Sequence, residues 1–196
     1  MTIGAEFDTL LAAAQAGGEW AFAALYRDLN PKLLRYLSAH APGAAEDVAA
    51  ETWLGVARGL RSFTGGEGAF RSWFFTIAHR QLVQLWRDRG RRPSSPADPE
   101  SFADLAAPDD PEAAGVAIVS AAEAARTIRA ALSRDQADVV LLRVLAGLDA
   151  DQVAEVLGKR PATVRVLQHR ALRKLEGQFS PEPVTRRPPG AIAPVT

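Results

Sequence analysis

The stretch from Asp149 to Lys174, DADQVAEVLGKRPATVRVLQHRALRK, constrains the chain most, because two helix starts, a helix stop and a turn are written into it. Asp149 and Gln152 stand at the spacing of an N-cap and its reciprocal partner three residues on. Val153, Ala154 and Leu157 supply an apolar face at helical spacing. Gly158 is placed to end the helix, since glycine enters a left-handed turn at no steric cost. Pro161 can open the next helix, where its missing N–H is not needed. That second helix sets Val164, Leu167, Ala171 and Leu175 on one side. From Lys159 onward it also carries Arg160, Arg165, Arg170, Arg173 and Lys174, with no acid among them. A short amphipathic helix, a tight turn and a basic second helix make a helix-turn-helix, a shape suited to a duplex major groove. A surface helix with a solvated basic face is the alternative; the agreement of cap, turn, proline and charge favours the first.

Hydrophobic residues make up 47% of the chain, which places it among globular rather than disordered sequences. The formal net charge is zero, yet the charges are segregated. Arg71, Arg80, Arg87, Arg89, Arg91 and Arg92 form one basic stretch, and the helix-turn-helix forms a second. Between them Asp98, Glu100, Asp104, Asp109, Asp110 and Glu112 stand without a Lys or Arg. This is the pattern of two binding surfaces separated by a segment that does not share their partner. Cysteine is absent, so disulfides, thiol catalysis and cysteine-ligated zinc are excluded. His40, His79 and His169 are far apart in sequence, with no metal-binding spacing, so neither a metal nor another cofactor is expected. No nucleophile motif points to an enzyme. The N-terminus has no basic start followed by an apolar run, and no long apolar segment exists. A cytoplasmic protein without membrane insertion is expected.

All strong patterning has the helical period, which predicts an all-α chain. Helices are predicted over 5–16, 19–40, 44–60 and 68–90, with breaks at Gly17-Gly18, Pro42-Gly43 and the Thr64–Gly68 run. These form a first module over residues 5–92. Residues 93–116 have the acidic, Pro-rich composition of a flexible linker. Residues 117–178 form a second module of four helices, in which Ser133 and Gln136 provide another capping box. A disordered tail is expected over 179–196.

Two helices of the first module carry more than core residues. On the helix 44–60, Ala45, Val48, Ala49, Trp53, Val56, Ala57 and Leu60 line one side. Glu46 and Asp47 suit the positive end of the helix dipole. Glu51 is not explained that way, and leaves a protein-binding acidic face open. On the helix 68–90, Phe70, Trp73, Phe74, Ile77, Ala78, Leu82 and Leu85 form a core stripe, and Phe75 has no clear side. Another face carries Thr76, His79, Arg80, Gln84 and Arg87. Basic and amide groups beside aromatic rings suit unstacked nucleic acid, although the spacing of the rings fits a core better. His79 reads as a polar surface residue.

The segments EDVAAETWLGV (Glu46–Val56) and AFRSWFFTIAHR (Ala69–Arg80), followed by the helix-turn-helix, resemble the small bacterial RNA polymerase sigma factors of the extracytoplasmic-function (ECF) type. The resemblance spans residues 7–92 and 118–178. It implies two helical domains, sigma region 2 and sigma region 4, with core RNA polymerase and promoter DNA as partners and an anti-sigma factor as a further candidate. By resemblance, Glu46, Asp47, Glu51, Thr52 and Trp53 look like polymerase-binding residues. The loop Arg61–Gly68, with Arg61 and Phe63, is similar to the loop that holds a flipped-out −10 base. Arg71, His79, Arg80, Gln84 and Arg87 would follow the melted strand. Lys159, Arg160, Thr163, Arg165, Val166, His169, Arg170 and Arg173 would approach the −35 duplex. Arg80 and Gln84 stand where the family often has asparagine and aspartate, and Val166 and Leu167 where small or basic residues are common, so neither promoter element can be copied from relatives. A DNA-binding regulator that never engages polymerase is the competing reading; in it the helix from Glu46 is mere scaffold.

Overall fold

The computed structural model describes residues 4–91, 124, 128 and 130–179. No strand occurs among them. The helices are α1 (Phe7–Gln15), α2 (Glu19–His40), α3 (Ala45–Gly59), α4 (Glu67–Arg91), α5 (Arg134–Leu145), α6 (Ala150–Leu157) and α7 (Pro161–Phe179). Short 3₁₀ turns at Gly4–Glu6, Pro42–Ala44 and Leu60–Ser62 flank α1 and α3. The segment expected to be a linker, 93–116, and the tail from residue 180 lie outside the described residues. Phe179 itself ends α7. Of the expected fourth helix in the second module, Ala124, Ile128 and Ala130–Ala131 are described as helical.

The capping chemistry read from the sequence is realised in the structure. Asp149 Oδ1 accepts from the backbone N–H groups of Asp151 and Gln152 at 2.9 and 2.8 Å, and Gln152 Oε1 accepts from the Asp149 N–H at 2.9 Å. Together these satisfy donors that a helix start otherwise leaves unpaired. Ser133 and Gln136 form the same box at the start of α5. Gly158 ends α6 at φ +61°, where a side chain would be strained.

In the first module α3 lies between α2 and α4. The α3–α4 approach is close because Gly55 and Gly59 lack side chains: a Cβ at either would come within 2.9 Å of Ile77 or 2.8 Å of Trp73. Trp53 fills the centre, with ring centroids 4.9 Å from Tyr26, 4.9 Å from Phe74 and 5.6 Å from Phe22. Its Nε1 donates to Asn30 Oδ1 at 3.0 Å, as a buried indole needs.

The second module is not a separate body. Helix α6 packs along α4, and α5 along α2. Buried residues from Phe7 to Ala171 form one continuous apolar cluster across both modules.

Candidate functional site

Helix α3 divides its residues cleanly. Asp47, Glu51, Leu54 and Arg58 recur at three- and four-residue spacing and are all exposed, with Glu46 exposed beside them. Thr52 and Trp53, expected on the same polymerase-binding face, are not part of it. Thr52 is fully buried, its hydroxyl donating to the Val48 carbonyl at 2.7 Å, and Trp53 lies in the core. Adjacency in sequence misled here, because neighbouring helical residues point about 100° apart. Leu54 and Arg58, which the sequence reading did not single out, share this exposed stripe. Leu54 is a large apolar side chain left 48% exposed, and its position in the 47–51–54–58 stripe was the available signal.

The loop after α3 is tied down from behind. Gln15 Nε2 donates to the Leu60 carbonyl at 2.9 Å and to the Phe63 carbonyl at 2.8 Å. The Phe63 ring packs edge-on to Phe70 at 5.2 Å and tilted against Trp73 at 5.0 Å. Phe63 is therefore half-buried and anchors the loop, while Arg61, Ser62 and Thr64 are exposed around it. Gln15 escaped the sequence reading, since nothing local links it to a loop 45 residues away.

The proposed strand-reading face of α4 is split. Arg80, Gln84 and Arg87 are exposed, with Gln84 Nε2 donating to the Asp88 carboxylate. Arg71 and His79 instead face the second module. Arg71 pairs with Glu67 at 2.7 Å and donates to the Ala146 carbonyl at 3.4 Å. His79 is mostly buried rather than a surface residue. Its Nδ1 lies 3.0 Å from the Tyr36 hydroxyl and 3.9 Å from Asp138 Oδ1. Phe75, between them on the 71–75–79 stripe, is fully buried, with its ring 5.8 Å from Tyr36.

Asp138, on α5, is the buried carboxylate at this junction. The Tyr36 hydroxyl donates to its Oδ1 at 2.8 Å, and His40 Nε2 lies 3.2 Å from the same oxygen. Burial, the largest influence, pushes Asp138 up to about 7. The Tyr36 hydrogen bond acts against that rise. Tyr36 itself is raised well above its ordinary value, first by burial and then by the adjacent carboxylate, so it stays protonated and donates. Its one proton goes to Asp138, so the contact with His79 is made by an Nδ1–H donating to the phenol oxygen. Burial lowers His79. The fold thus brings His40 and His79 to one carboxylate, although no group of three or more residues suited to hold a metal occurs among the described residues.

On α7 the division is simple. Val164 and Ala171 are fully buried against the rest of the second module, and Leu167 and Leu175 are half-buried. Arg160, Thr163, Arg165, Val166, His169, Arg170 and Arg173 are exposed. Lys159 is half-buried and paired with Asp135 at 2.9 Å, so it belongs to the packing of the module more than to the open face. Arg165 reaches Asp151 at 3.2 Å in an exposed pair.

A helix-turn-helix with an open basic second helix, set beside a helical module with an exposed acidic stripe, defines a transcription protein that meets both DNA and another protein. Residues 25–92 match the Sigma-70 region 2 family and residues 122–175 the Sigma-70 region 4 family. Over 161 residues, 77% of this chain and 83% of the relative, the sequence is 34% identical to the ECF RNA polymerase sigma factor ShbA of Streptomyces griseus. It is 27% identical over 184 residues to the ECF RNA polymerase sigma factor SigD of Mycobacterium tuberculosis, covering 90% of this chain and 85% of that one. The structure of CnrH in complex with the cytosolic domain of CnrY shares the fold, with a TM-score of 0.62 at 23% identity, over 90% of this chain and 99% of that one. The chain belongs to the ECF RNA polymerase sigma factors. It binds core RNA polymerase and directs promoter-specific initiation of transcription. No helix among the described residues is long and apolar enough to cross a membrane.

Proposed function

We propose that three surfaces divide the work of initiation, and that the sigma factor acts in the cytoplasm by positioning rather than by catalysis. The α3 stripe of Asp47, Glu51, Leu54 and Arg58, flanked by Glu46, docks core polymerase. An apolar side chain ringed by charges is the composition of a specific protein contact. Arg61 and the loop pinned by Phe63, with Arg80, Gln84 and Arg87 on α4, follow the separated −10 strand; Arg71 and His79 join them when uncovered. Arg160, just before α7, and Thr163, Arg165, Val166, His169, Arg170 and Arg173 on α7 read the −35 duplex.

The observation that carries this reading is the exposure of one whole basic side of α7 while its apolar side is buried. Neither module alone makes a tight, salt-resistant complex with DNA, because phosphate contacts dominate and weaken with salt. Held together on the polymerase, each raises the effective concentration of the other, so element spacing matters as well as sequence. An anti-sigma protein is a further partner on this reading, as CnrH is held by the cytosolic domain of CnrY.

The test is co-elution of the purified chain with bacterial core RNA polymerase, followed by initiation on pooled genomic fragments. Asp47→Arg with Glu51→Arg is expected to lower polymerase binding at least a hundredfold with an unchanged circular dichroism spectrum. Duplex binding without any polymerase binding would leave a plain DNA-binding regulator.

A further inference from the structure

The loop after α3 is held by a helix that lies outside the matched family region. The Sigma-70 region 2 match begins at residue 25, whereas α1 ends at Gln15. The chain around α1 reaches the loop at three points. Gln15 Nε2 donates to the Leu60 and Phe63 carbonyls at 2.9 and 2.8 Å. The Phe7 ring lies 5.5 Å from Phe70, the ring that also receives Phe63 at 5.2 Å. Just before α1, the Gly4 N–H donates to Glu67 Oε2 at 3.0 Å, where α4 begins.

The Gln15 amide fixes the backbone of this loop. The Leu60 and Phe63 carbonyls flank a tight turn, closed by the Phe63 N–H donating to the Leu60 carbonyl at 3.2 Å. Both carbonyls converge on one nitrogen. Two like dipoles aimed at one point repel unless donors stand between them, and a carboxamide nitrogen has two N–H groups, one for each. A part-buried carbonyl stripped of its donor bears the full cost of its lost hydration. Rotating a peptide unit relieves that cost and re-aims the exposed Arg61, Ser62 and Thr64. Further along, Gly65 lies at φ +139°, and a Cβ there would come 3.0 Å from the Ala69 Cβ and 3.4 Å from the Phe63 ring. The loop is thus fixed at both ends while side chains between them face solvent. A methionine at position 15 would pack as well as glutamine; what glutamine adds is the pair of donors.

We propose that Gln15 is a positioning residue for −10 recognition: its amide holds the 60–66 loop in the conformation that accepts a base of the separated strand. Helix α1 then sets how sharply that base is chosen without touching DNA. The proposal deepens the assignment of this loop to the −10 strand and rests on it.

The full chain is assembled with core polymerase and given a promoter that the unmodified holoenzyme initiates, drawn from pooled genomic fragments. Its −10 bases, and in a second library its −35 bases, are randomised, each template carrying a transcribed barcode. Sequencing the transcripts gives the base preference at every position. Gln15→Met keeps the length of the side chain and removes both donors. Gln15→Glu keeps its shape and sets carboxylate oxygens against the two carbonyls. In both, the preference for the best base at one −10 position is expected to fall about tenfold, the factor that leaving an acceptor unpaired corresponds to. The −35 preference and the affinity for core polymerase are expected to be unchanged. Arg61→Ala with Thr64→Ala, which alters the loop itself, is expected to change the −10 preference as well.

An unaltered −10 preference in both Gln15 variants, beside an altered one in the loop variant, would overturn the role of Gln15 alone. A loss spread equally over −10 and −35 positions would also overturn it, leaving a contact that only supports the fold. An unaltered preference in Arg61→Ala with Thr64→Ala would instead remove the loop from −10 reading, and the proposal with it.

Discussion

The two helices proposed to face DNA in this sigma factor stand in opposite conditions. Helix α7 turns a basic side to solvent, and on the proposed reading would need no rearrangement to meet a duplex. Helix α4 keeps Arg80, Gln84 and Arg87 open, but commits Arg71 and His79 to the other module. Duplex DNA is a ready-made partner, whereas a melted strand exists only after base pairs are broken. A face exposed at all times suits the first, and a face completed late suits the second. On the proposed assignment of α7 to the duplex and α4 to the separated strand, the same molecule carries one preformed reader and one conditional reader.

The sharpest way to break this contrast is on α7. Arg165→Ala combined with Arg170→Ala is expected to weaken binding to −35 duplex by about 1–3 kcal/mol per base-reading contact, in the free chain and in the holoenzyme alike. Fluorescence anisotropy against a promoter duplex measures it. A loss confined to the holoenzyme would mean that α7 is not the preformed reader.

Arg80→Ala with Arg87→Ala is expected to act only in the conditional reader. Strand opening by the holoenzyme should fall about tenfold, and its salt dependence should weaken by about one unit per lost phosphate contact. Duplex binding by the free chain should not change. Salt titrations of both reactions separate the two helices.

The pH dependence of stability sharpens the comparison where the two modules meet. Burial pushes Asp138 up to about 7 in the folded chain, against an ordinary value of 3.8. Between those values the folded form holds more protons than the unfolded chain, so stability is highest at the acid end and falls as pH rises through about 7. His79, lowered by burial, contributes the opposite slope near and below its ordinary value of 6.5. Its imidazole faces Tyr36 and Asp138, while His40 lies against the same carboxylate and Arg134, Asp135 and Lys159 act from α5 and the turn before α7. Asp138→Asn removes only the carboxylate. Its melting temperature is expected to rise relative to the parent as pH increases from 5 to 8, by the equivalent of about 1–3 kcal/mol at the alkaline end. Parallel pH profiles for the two proteins would show that Asp138 is ionised throughout.

The smallest effect is expected at the exposed Arg165–Asp151 pair. Asp151→Ala should change stability by less than about 1 kcal/mol, since exposed ion pairs contribute little. It should slightly strengthen duplex binding by freeing Arg165. Thermal melts and anisotropy on one preparation check both.

Much of this architecture is legible without coordinates. Asp149 with Gln152, Ser133 with Gln136, Gly158 and Pro161 mark helix ends through bonds that span three or four residues. Each falls where those marks predict. The apolar side of α7 is equally plain, because Val164 and Ala171 keep helical spacing. Thr52 and Trp53 show the limit: they sit in the same segment as the exposed Glu46, Asp47 and Glu51, yet helical rotation turns them into the core. Phe75 shows another. It had no side on the first module's own pattern, because what covers its stripe of α4 comes from elsewhere in the chain.

The sequence by itself determined the helices, their caps, the helix-turn-helix and the separation of basic from acidic stretches, since these depend on residues a turn apart. Only the tertiary structure decided that α6 lies on α4 and that Asp138 is buried beneath Tyr36, His40 and His79. Tyr36 and Asp138 are 102 positions apart. No local period records a contact of that range; an aspartate on a helix reads as solvated until a second surface closes over it and takes the water away.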